Sequence, residues 1–274
     1  MPIKTILLHM ANDDRHGARL QAAVGLAERF GAFVEVLYVA TPVSMPAAVT
    51  GRAASYGYIA EATAIAHEKA EQIEQEVRQA LKDCSYSWAV VEGDHVELLA
   101  ERATYADLAI VTQSQGDSLD DRVVLHVPDR LPLETPCPTL VLPHAFAPDA
   151  AIGRHVVIAW KNTREAGRAV RNAMPFLQAA EKVTVLTIDP PGHTLDSGRD
   201  LMVWLERHGV RSHHQANIHQ GGDVGEVILT CARDVDADLL VMGAYGHSRL
   251  REMVLGGATR TVLGELALPA LMSH

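Results

Sequence analysis

Residues Ala237–Gly246 read ADLLVMGAYG, a short apolar run that ends in glycines. A run of this length bounded by turn residues is typical of a buried strand in an α/β sheet. The same Ala-Asp-Leu occurs at 106–108, again ahead of an apolar run, at an offset of 131 in the numbering (237 − 106 = 131). Pro138 and Pro269, which each precede a further apolar run, differ by the same offset (269 − 138 = 131). One register therefore relates the back ends of the two halves, and we predict two copies of one unit.

Short apolar runs alternate with amphipathic helical patterns along both halves, which predicts βαβ units and mostly parallel sheets. Strands are predicted at 6–10, 33–39, 88–91, 108–111 and 139–142, and again at 156–160, 183–188, 212–218, 239–242 and 270–272. Helices are predicted up to residue 30 and at 59–82, 96–102, 164–177, 195–208, 225–233 and 258–266. A surface loop is expected at 41–57 and a linker at 143–153. The expected fold is α/β, with two tandem doubly wound domains of five strands at 1–148 and 149–274.

Composition excludes several classes of function. The 274 residues carry a net charge of −10, which disfavours nucleic acid and anionic membranes because phosphates are repelled. No apolar stretch approaches the roughly 20 residues that span a bilayer. The three cysteines are far apart and lack metal-ligand spacing, so they indicate reduced core residues. A cytoplasmic protein is expected.

The glycine-rich segment 242–260 is the best candidate for a functional site. It follows a predicted strand and leads into a helix, and ligands of doubly wound sheets bind beyond the carboxyl ends of the strands. Glycines there let the backbone approach a ligand closely. The same glycines could instead only make a tight turn and allow close helix packing, and spacing alone leaves both interpretations open.

The glycine spacing resembles that of a known family. Gly243-x2-Gly246-x9-Gly256 matches the nucleotide-binding loop of universal stress proteins. The second half resembles that family nearly from end to end, through residues 159–166, Gly222-Asp223, 237–243 and Pro269. The first half fits by fold order and by register.

This resemblance implies a five-stranded parallel sheet, dimerisation through the last strand and a role in surviving stress. Some members bind ATP between the loop after the first strand and the glycine loop, whereas others have lost that ability. Carried over by position, Gly243, Gly246 and Gly256 would wrap the ribose and phosphates of ATP or a related adenine nucleotide, with or without Mg²⁺. Thr259 would supply a hydroxyl near the phosphates, Met242 would border the sugar, and Thr187 or Ile188 would face the base.

Two residues depart from the family's ATP-binding pattern. Gly257 stands where binders usually have Ser or Thr, which removes one hydroxyl contact worth about 1 kcal/mol. Lys161 stands where binders carry an acid; it could pair with phosphate as a point charge but cannot accept hydrogen bonds. Binding is expected to be weakened or retuned.

The first half lacks the loop. At the offset that relates the halves, the positions matching Gly243, Gly246, Gly256 and Thr259 hold Thr112, Gln115, Leu125 and Pro128. We therefore expect a degenerate copy with a structural or partner-binding role.

Other constellations favour structural interpretations. His213, His214 and His219 indicate a polar edge strand rather than a metal site, and Asp13-Asp14 is expected to cap the first helix. No nucleophile elbow, Walker motif or HExxH is present.

Three functions stay open. The first is a stress-response module that binds a nucleotide in the second half and acts in signalling. The alternative is a structural or protein-interaction module with a retired site, and a weak ATPase is a third option without an identified base. The chain is expected to form a homodimer or an internal pseudo-dimer of its halves.

Overall fold

Ten strands form one continuous sheet in the computed structural model, which describes residues 2–40, 68–114, 127–189, 197–218, 221–246 and 257–274. The first half contains β1 (Thr5–Met10), α1 (His16–Phe30), β2 (Phe33–Ala40), α2 (helical at 68–80), β3 (Tyr86–Glu92), α3 (His95–Ala103), β4 (Leu108–Thr112), α4 (Val127–Glu134) and β5 (Thr139–Leu142). The second contains β6 (His155–Trp160), α5 (Arg164–Asn172), α6 (Met174–Ala179), β7 (Lys182–Asp189), α7 (Ser197–Arg207), β8 (His213–Ile218), α8 (Val224–Asp234), β9 (Leu239–Gly243), α9 (Ala258–Gly264) and β10 (Ala270–Ser273).

The sheet order is β3-β2-β1-β4-β5-β10-β9-β6-β7-β8, so each half supplies five consecutive strands. Strands within each half are parallel, and the halves meet where β5 and β10 pair antiparallel, with Leu140 opposite Leu271. The α/β fold expected from the sequence is confirmed. The pairing also makes the chain an internal pseudo-dimer joined through the last strand of each half.

The repeated Ala-Asp-Leu has a structural cause. The Asp107 carboxylate accepts hydrogen bonds from the backbone N–H groups of Lys4 and Thr5 at 2.8 and 2.9 Å. Asp238 accepts in the same way from the backbone at 153–155, at 3.0 to 3.1 Å. The aspartate before β4 therefore holds the start of β1 in place, and the aspartate before β9 does the same for the start of β6.

The register between the halves also accounts for a helix that sequence patterns missed. α4 begins at Val127 and α9 at Ala258 (258 − 127 = 131). Pro128 and Pro132 concealed α4, because proline is unfavourable in a helix interior. Pro128 lies in the first turn, where its missing N–H costs little.

Other predicted boundaries change locally. The helix predicted at 164–177 is two helices that break at Ala173, because Pro175 has no N–H to continue the first. The helix predicted at 258–266 ends at Gly264. The predicted loop at 41–57 and the start of the helix at 59–82 lie outside the described residues.

Helices cover both faces of the sheet and bury alternate strand residues. Ile6 and Leu8 belong to the apolar layer that includes residues of α1, α2, α5, α6 and α7, whereas Leu7 belongs to the layer that includes residues of α3, α4, α8 and α9. Each of these two apolar layers runs through both halves without interruption. The halves therefore share one core on each face.

Asp13 is not the N-cap residue of α1, contrary to the prediction, because Arg15 occupies that position and makes no side-chain cap. The Asp13 carboxylate does accept from the Arg15 backbone N–H at 2.7 Å, but it is buried against Arg19. The carboxylate pairs with Arg19 because a buried guanidinium needs a counter-charge.

Among the described helices, none has the length and apolar character that crossing a bilayer requires.

Candidate functional site

A cavity of about 630 Å³ opens at the carboxyl ends of β6, β7 and β9. Its volume lies within the range of small-molecule sites. From β6 the chain adds β7 and β8 on one side of that strand and then adds β9 on the other side. The cavity lies at this reversal of strand order, which is the usual place for ligands in doubly wound sheets. The predicted residues that line it are Lys161, Ile188, Met242, Gly243, Gly246, Gly257 and Thr259. Gly256 lies outside the described residues.

The cavity has an apolar part and a polar part. Side chains from three strands and α8 supply the apolar lining, namely Ala159, Leu186, Ile188, Ile228 and Met242. The polar lining comes from the loop after β6, from the first turn of α5, from the loop after β9 and from α9, and includes Lys161, Thr163, Glu165, Gly246 and Thr259. Such a mixture suits a ligand with one flat apolar group and one charged group.

Gly243 is required for packing. A Cβ atom on this residue would lie 2.6 Å from the backbone nitrogen of Ala166 and 2.8 Å from the carbonyl carbon of Glu165. Both atoms belong to the backbone of α5, which cannot move away cheaply. The close approach of α5 to β9 is therefore sufficient to explain why residue 243 is a glycine.

Gly246 differs from Gly243. A Cβ atom there would have its nearest neighbours at 3.5 Å, the Glu165 carboxylate, and at 3.9 Å, the Thr163 hydroxyl. Both distances are ordinary contacts, so neighbouring atoms do not require a glycine. Since Gly246, Glu165 and Thr163 all line the cavity, a larger side chain at this position would occupy cavity space.

Tyr245, between these two glycines, has φ +53, a left-handed conformation that non-glycine residues rarely adopt. Its backbone N–H donates to the Thr259 hydroxyl at 3.1 Å. Thr259 is buried and lines the cavity. The predicted hydroxyl therefore also fastens the glycine loop to α9.

The Gly222-Asp223 pair sets the position of α8. Asp223 is its N-cap, accepting from the backbone N–H of Gly225 at 2.6 Å and from the Thr261 hydroxyl at 2.9 Å. A Cβ atom on Gly225 would lie 2.6 Å from Thr261 Cβ, so α8 crosses α9 closely. Both cavity-lining helices are fixed by this crossing.

Glu165 is an acidic cavity residue that the sequence interpretation missed. Its buried carboxylate receives a hydrogen bond from Arg164 Nε at 2.5 Å. Burial alone would raise the pKa of Glu165, but hydrogen bonds from Arg164, its own backbone and Thr163 outweigh that effect and lower it. The carboxylate is therefore ionised at neutral pH. An acid in the first helical turn after β6 was the signal that could have identified it.

The corresponding place in the first half is occupied by its own side chains. Arg19 is almost fully buried and donates to the Thr112 hydroxyl at 3.0 Å, to the His9 carbonyl at 2.8 Å and to the Asp13 carboxylate. Thr112 is the counterpart of Gly243. Gln115 and Leu125 lie outside the described residues, and Pro128 lies in α4.

A buried histidine pair adjoins this cluster. His9 Nε2 and His95 Nδ1 are 2.8 Å apart. Burial lowers the pKa of His9 well below its usual value and that of His95 to about 4, and the nearby Arg19 acts in the same direction on both. Both rings are neutral at pH 7.

The histidines of β8 lie on an edge strand of the sheet. β8 is an outermost strand, as predicted, and His214 Nε2 lies 3.0 Å from the Thr187 hydroxyl. Thr187 therefore faces His214, and of the two residues expected near the base only Ile188 lines the cavity. His219 lies outside the described residues. Within the part of the chain that the structure describes, no group of three or more His, Cys, Asp or Glu side chains could hold a metal ion.

Comparisons with known proteins agree with the fold. A universal stress protein from Archaeoglobus fulgidus superimposes with a TM-score of 0.76 at 18% identity, covering 98% of this chain and 95% of that one. A second solved structure, described as a putative universal stress protein from Pseudomonas aeruginosa, gives a TM-score of 0.61 at 17% identity, covering 99% of this chain and 93% of that one.

Sequence comparison gives the family. Universal stress protein Slr1230 from Synechocystis is 44% identical over 50 residues, which are 18% of this chain and only 17% of that protein. The model of the universal stress protein family matches residues 2–143 and again 153–274. Since these two segments cover nearly the whole chain, the protein belongs to the universal stress protein family as a tandem member.

Proposed function

We propose that the second-half cavity binds an adenine nucleotide (ATP, ADP or AMP) and that the protein acts as a nucleotide-dependent regulatory module in the stress response. One observation carries the proposal: the described residues that the family resemblance assigns to the ribose and phosphates all line a single cavity of suitable size. They come from β9, from the loop that follows it and from α9.

The lining supports a definite orientation of the nucleotide. The purine ring would lie against Leu186, Ile188 and Ile228, where apolar surface is available, and Met242 would border the sugar. The phosphates would lie along Gly246 and Gly257, whose missing side chains leave backbone N–H groups accessible. Lys161 would supply the opposing positive charge at the rim.

Glu165 is expected to make binding dependent on a divalent cation. Its ionised carboxylate lies beside Gly246 and would repel a phosphate placed there. Mg²⁺ is usually held by one or two carboxylates together with substrate phosphates, and Glu165 with a nucleotide phosphate fits that donor set. The ion would remove the repulsion and orient the phosphate chain.

The alternative function, an interaction module with a retired site, is favoured by particular contacts. Gly243 is explained by packing against α5, and Asp223 is used in capping α8. Gly257 adds no hydroxyl. An ancestral site could keep these structural residues after its ligand was lost.

Thermal denaturation with ATP, ADP and AMP, each with and without Mg²⁺, tests the proposal. A ligand at 100 times its dissociation constant adds about 2.7 kcal/mol to the free energy of unfolding, a shift of several degrees. Gly246→Trp should abolish the shift, because the indole would extend into the cavity without displacing backbone.

Gly25→Trp is the matched control. Gly25 is exposed on α1, and nothing lies near its would-be Cβ atom. This variant should retain the full nucleotide shift. No shift in the parent with any nucleotide would reject the proposal and favour the interaction module, and an equal shift in the parent and in Gly246→Trp would place the ligand elsewhere. Release of phosphate from ATP, measured in the same samples, separates binding from hydrolysis.

A further inference from the structure

Two side chains of the first half extend to the elements that build the second-half cavity. Asp129, on α4, accepts a hydrogen bond from the Tyr245 hydroxyl at 3.4 Å. Gln113, directly after β4, donates through its amide nitrogen to the carbonyls of Leu263 and Gly264 at 2.8 and 2.9 Å. Both contacts cross the junction between the halves.

The contact with Asp129 acts on the glycine loop. Tyr245 lies between two glycines that line the cavity, and its left-handed backbone conformation is unfavourable for a residue with a side chain. The contacts that hold this short segment include Tyr245 N–H with Thr259, Ala244 N–H with the Ser273 carbonyl, and the Tyr245 hydroxyl with Asp129. Of these three partners, Asp129 comes from the other half.

The contact with Gln113 acts on α9. This helix carries Thr259, which lines the cavity, and ends at Gly264, where its last carbonyls lack partners within the helix. The buried Gln113 amide satisfies two of them, and its own oxygen accepts from the His144 backbone N–H at 3.0 Å. The end of α9 is thereby tied to the first half.

The arrangement is asymmetric. The second-half counterpart of Gln113 is Ala244 (113 + 131 = 244), which has no side-chain amide to donate. The positions equivalent to Tyr245 and Asp129 are Ser114 and Arg260, a pair of different chemistry. The two contacts, Asp129 with Tyr245 and Gln113 with the end of α9, therefore act on the half that has the glycine loop and have no equivalent of the same chemistry on the other half. We call these two contacts the tether.

We propose that the first half positions the ligand site of the second, with Asp129 and Gln113 as positioning residues for the glycine loop and α9. This inference rests on the proposed nucleotide function for its effect on affinity. The ordering of the loop itself can be measured without any ligand. The degenerate half is then part of the binding machinery.

The test compares the full-length parent with Asp129→Ala, Tyr245→Phe and the double variant. Two quantities are measured: the dissociation constant of Mg²⁺-ATP by calorimetry, and the amide hydrogen exchange of residues 243–246 without ligand. Each single variant should weaken ATP about threefold to tenfold and speed exchange of the loop by a similar factor. Because both variants remove the Tyr245–Asp129 hydrogen bond, the loss in the double variant should be smaller than the sum of the two single losses.

Two further variants separate positioning from general damage. Asp129→Asn should restore most of the affinity, because the amide oxygen still accepts from the phenol. Arg130→Ala, on the exposed side of the same helix, should leave both measurements unchanged. Gln113→Met should speed exchange at 259–264, and an unchanged rate there would overturn its part of the proposal.

The outcomes distinguish this inference from the nucleotide function. If the parent binds no nucleotide, the proposed nucleotide function is wrong. Faster hydrogen exchange of the loop in Asp129→Ala and Tyr245→Phe would still support the positioning role of Asp129. Unchanged exchange in both variants would overturn that role. If the parent binds ATP and both variants bind equally well, the positioning role is wrong. Fully additive losses in the double variant would also overturn it, since the two side chains would then not act through their shared hydrogen bond.

Discussion

The Arg19 guanidinium and the Asp13 carboxylate lie 2.5 Å apart, and both side chains are almost completely buried. Burial by itself would raise the pKa of Asp13, but the adjacent Arg19 charge and hydrogen bonds lower it, so the pair is ionised. Arg19 also reaches Thr112, the first-half counterpart of Gly243. In the first half a buried ion pair thus adjoins the position that corresponds to Gly243 of the second-half cavity.

Removing one partner of this pair should be costly. Arg19→Met leaves the Asp13 charge buried without its counter-ion, and we expect a loss of about 3–5 kcal/mol in the free energy of unfolding. Combining Arg19→Met with Asp13→Leu should recover most of that loss, because no uncompensated charge remains. Urea denaturation at pH 7 measures both. A loss below about 1 kcal/mol in the single variant would contradict the buried ion pair.

Stability should fall as the pH drops below the usual histidine range. His95 has a pKa of about 4 in the folded protein, below the ordinary 6.5, so the unfolded chain takes up protons first. Well above pH 6.5 the histidine is neutral in both the folded and the unfolded state, so its protonation does not affect the free energy of unfolding. Between pH 7 and pH 5 this difference amounts to about 2 kcal/mol for His95, and His9 acts in the same direction.

The pH effect is checked by chemical denaturation at several pH values. His95→Gln keeps a hydrogen-bonding side chain but cannot be protonated, so its stability should decline less steeply between pH 7 and pH 5. Asp94 and Asp13 oppose the lowering of the His95 pKa, and Arg19 supports it. Equal slopes for parent and variant would show that this buried pair does not control acid stability.

The two glycines of the loop should respond differently to alanine. Gly243→Ala places a methyl group 2.6 Å from the α5 backbone and should cost about 1–3 kcal/mol, because strand and helix must separate. Gly246→Ala meets only ordinary contacts and should change stability by less than about 0.5 kcal/mol. Thermal denaturation without ligand compares them. Similar costs at both positions would show that close packing is not what distinguishes Gly243.

A hydroxyl restored at residue 257 should improve nucleotide binding. Gly257 has φ −87 and ψ 152, which any residue can adopt, and it lacks a side-chain cap for α9. Gly257→Ser should strengthen ATP binding several-fold, in line with one added hydrogen bond of about 1 kcal/mol. Gly257→Ala adds the Cβ atom without the hydroxyl and should show no gain in calorimetry. An equal gain in both would assign the effect to backbone stiffening.

The strands and the location of the cavity could be predicted because their signals are local. Apolar runs bounded by turn residues placed the strands close to their observed bounds, and the register of Ala106–Leu108 with Ala237–Leu239 related the halves. The glycine loop could be placed at the carboxyl ends of the strands because ligands of doubly wound sheets bind there. Lys161 was assigned to the same site through the family resemblance.

The missed features depend on contacts between distant residues. His9 and His95 are 86 positions apart, and Gln113 lies 150 positions from Leu263. No periodicity or spacing signals such a contact, since packing of the finished fold creates it. The role of Gly243 was undecided for the same reason, because the atoms it accommodates belong to another element, α5.

The antiparallel pairing of β5 with β10 has an evolutionary consequence. Two separate copies that met through their last strands would dissociate on dilution, whereas here the contact is intramolecular and does not depend on protein concentration. A homodimer must also repeat every substitution on both sides of its axis. In the tandem chain a change occurs once, so Arg19 could enter one half while the corresponding space stayed open in the other.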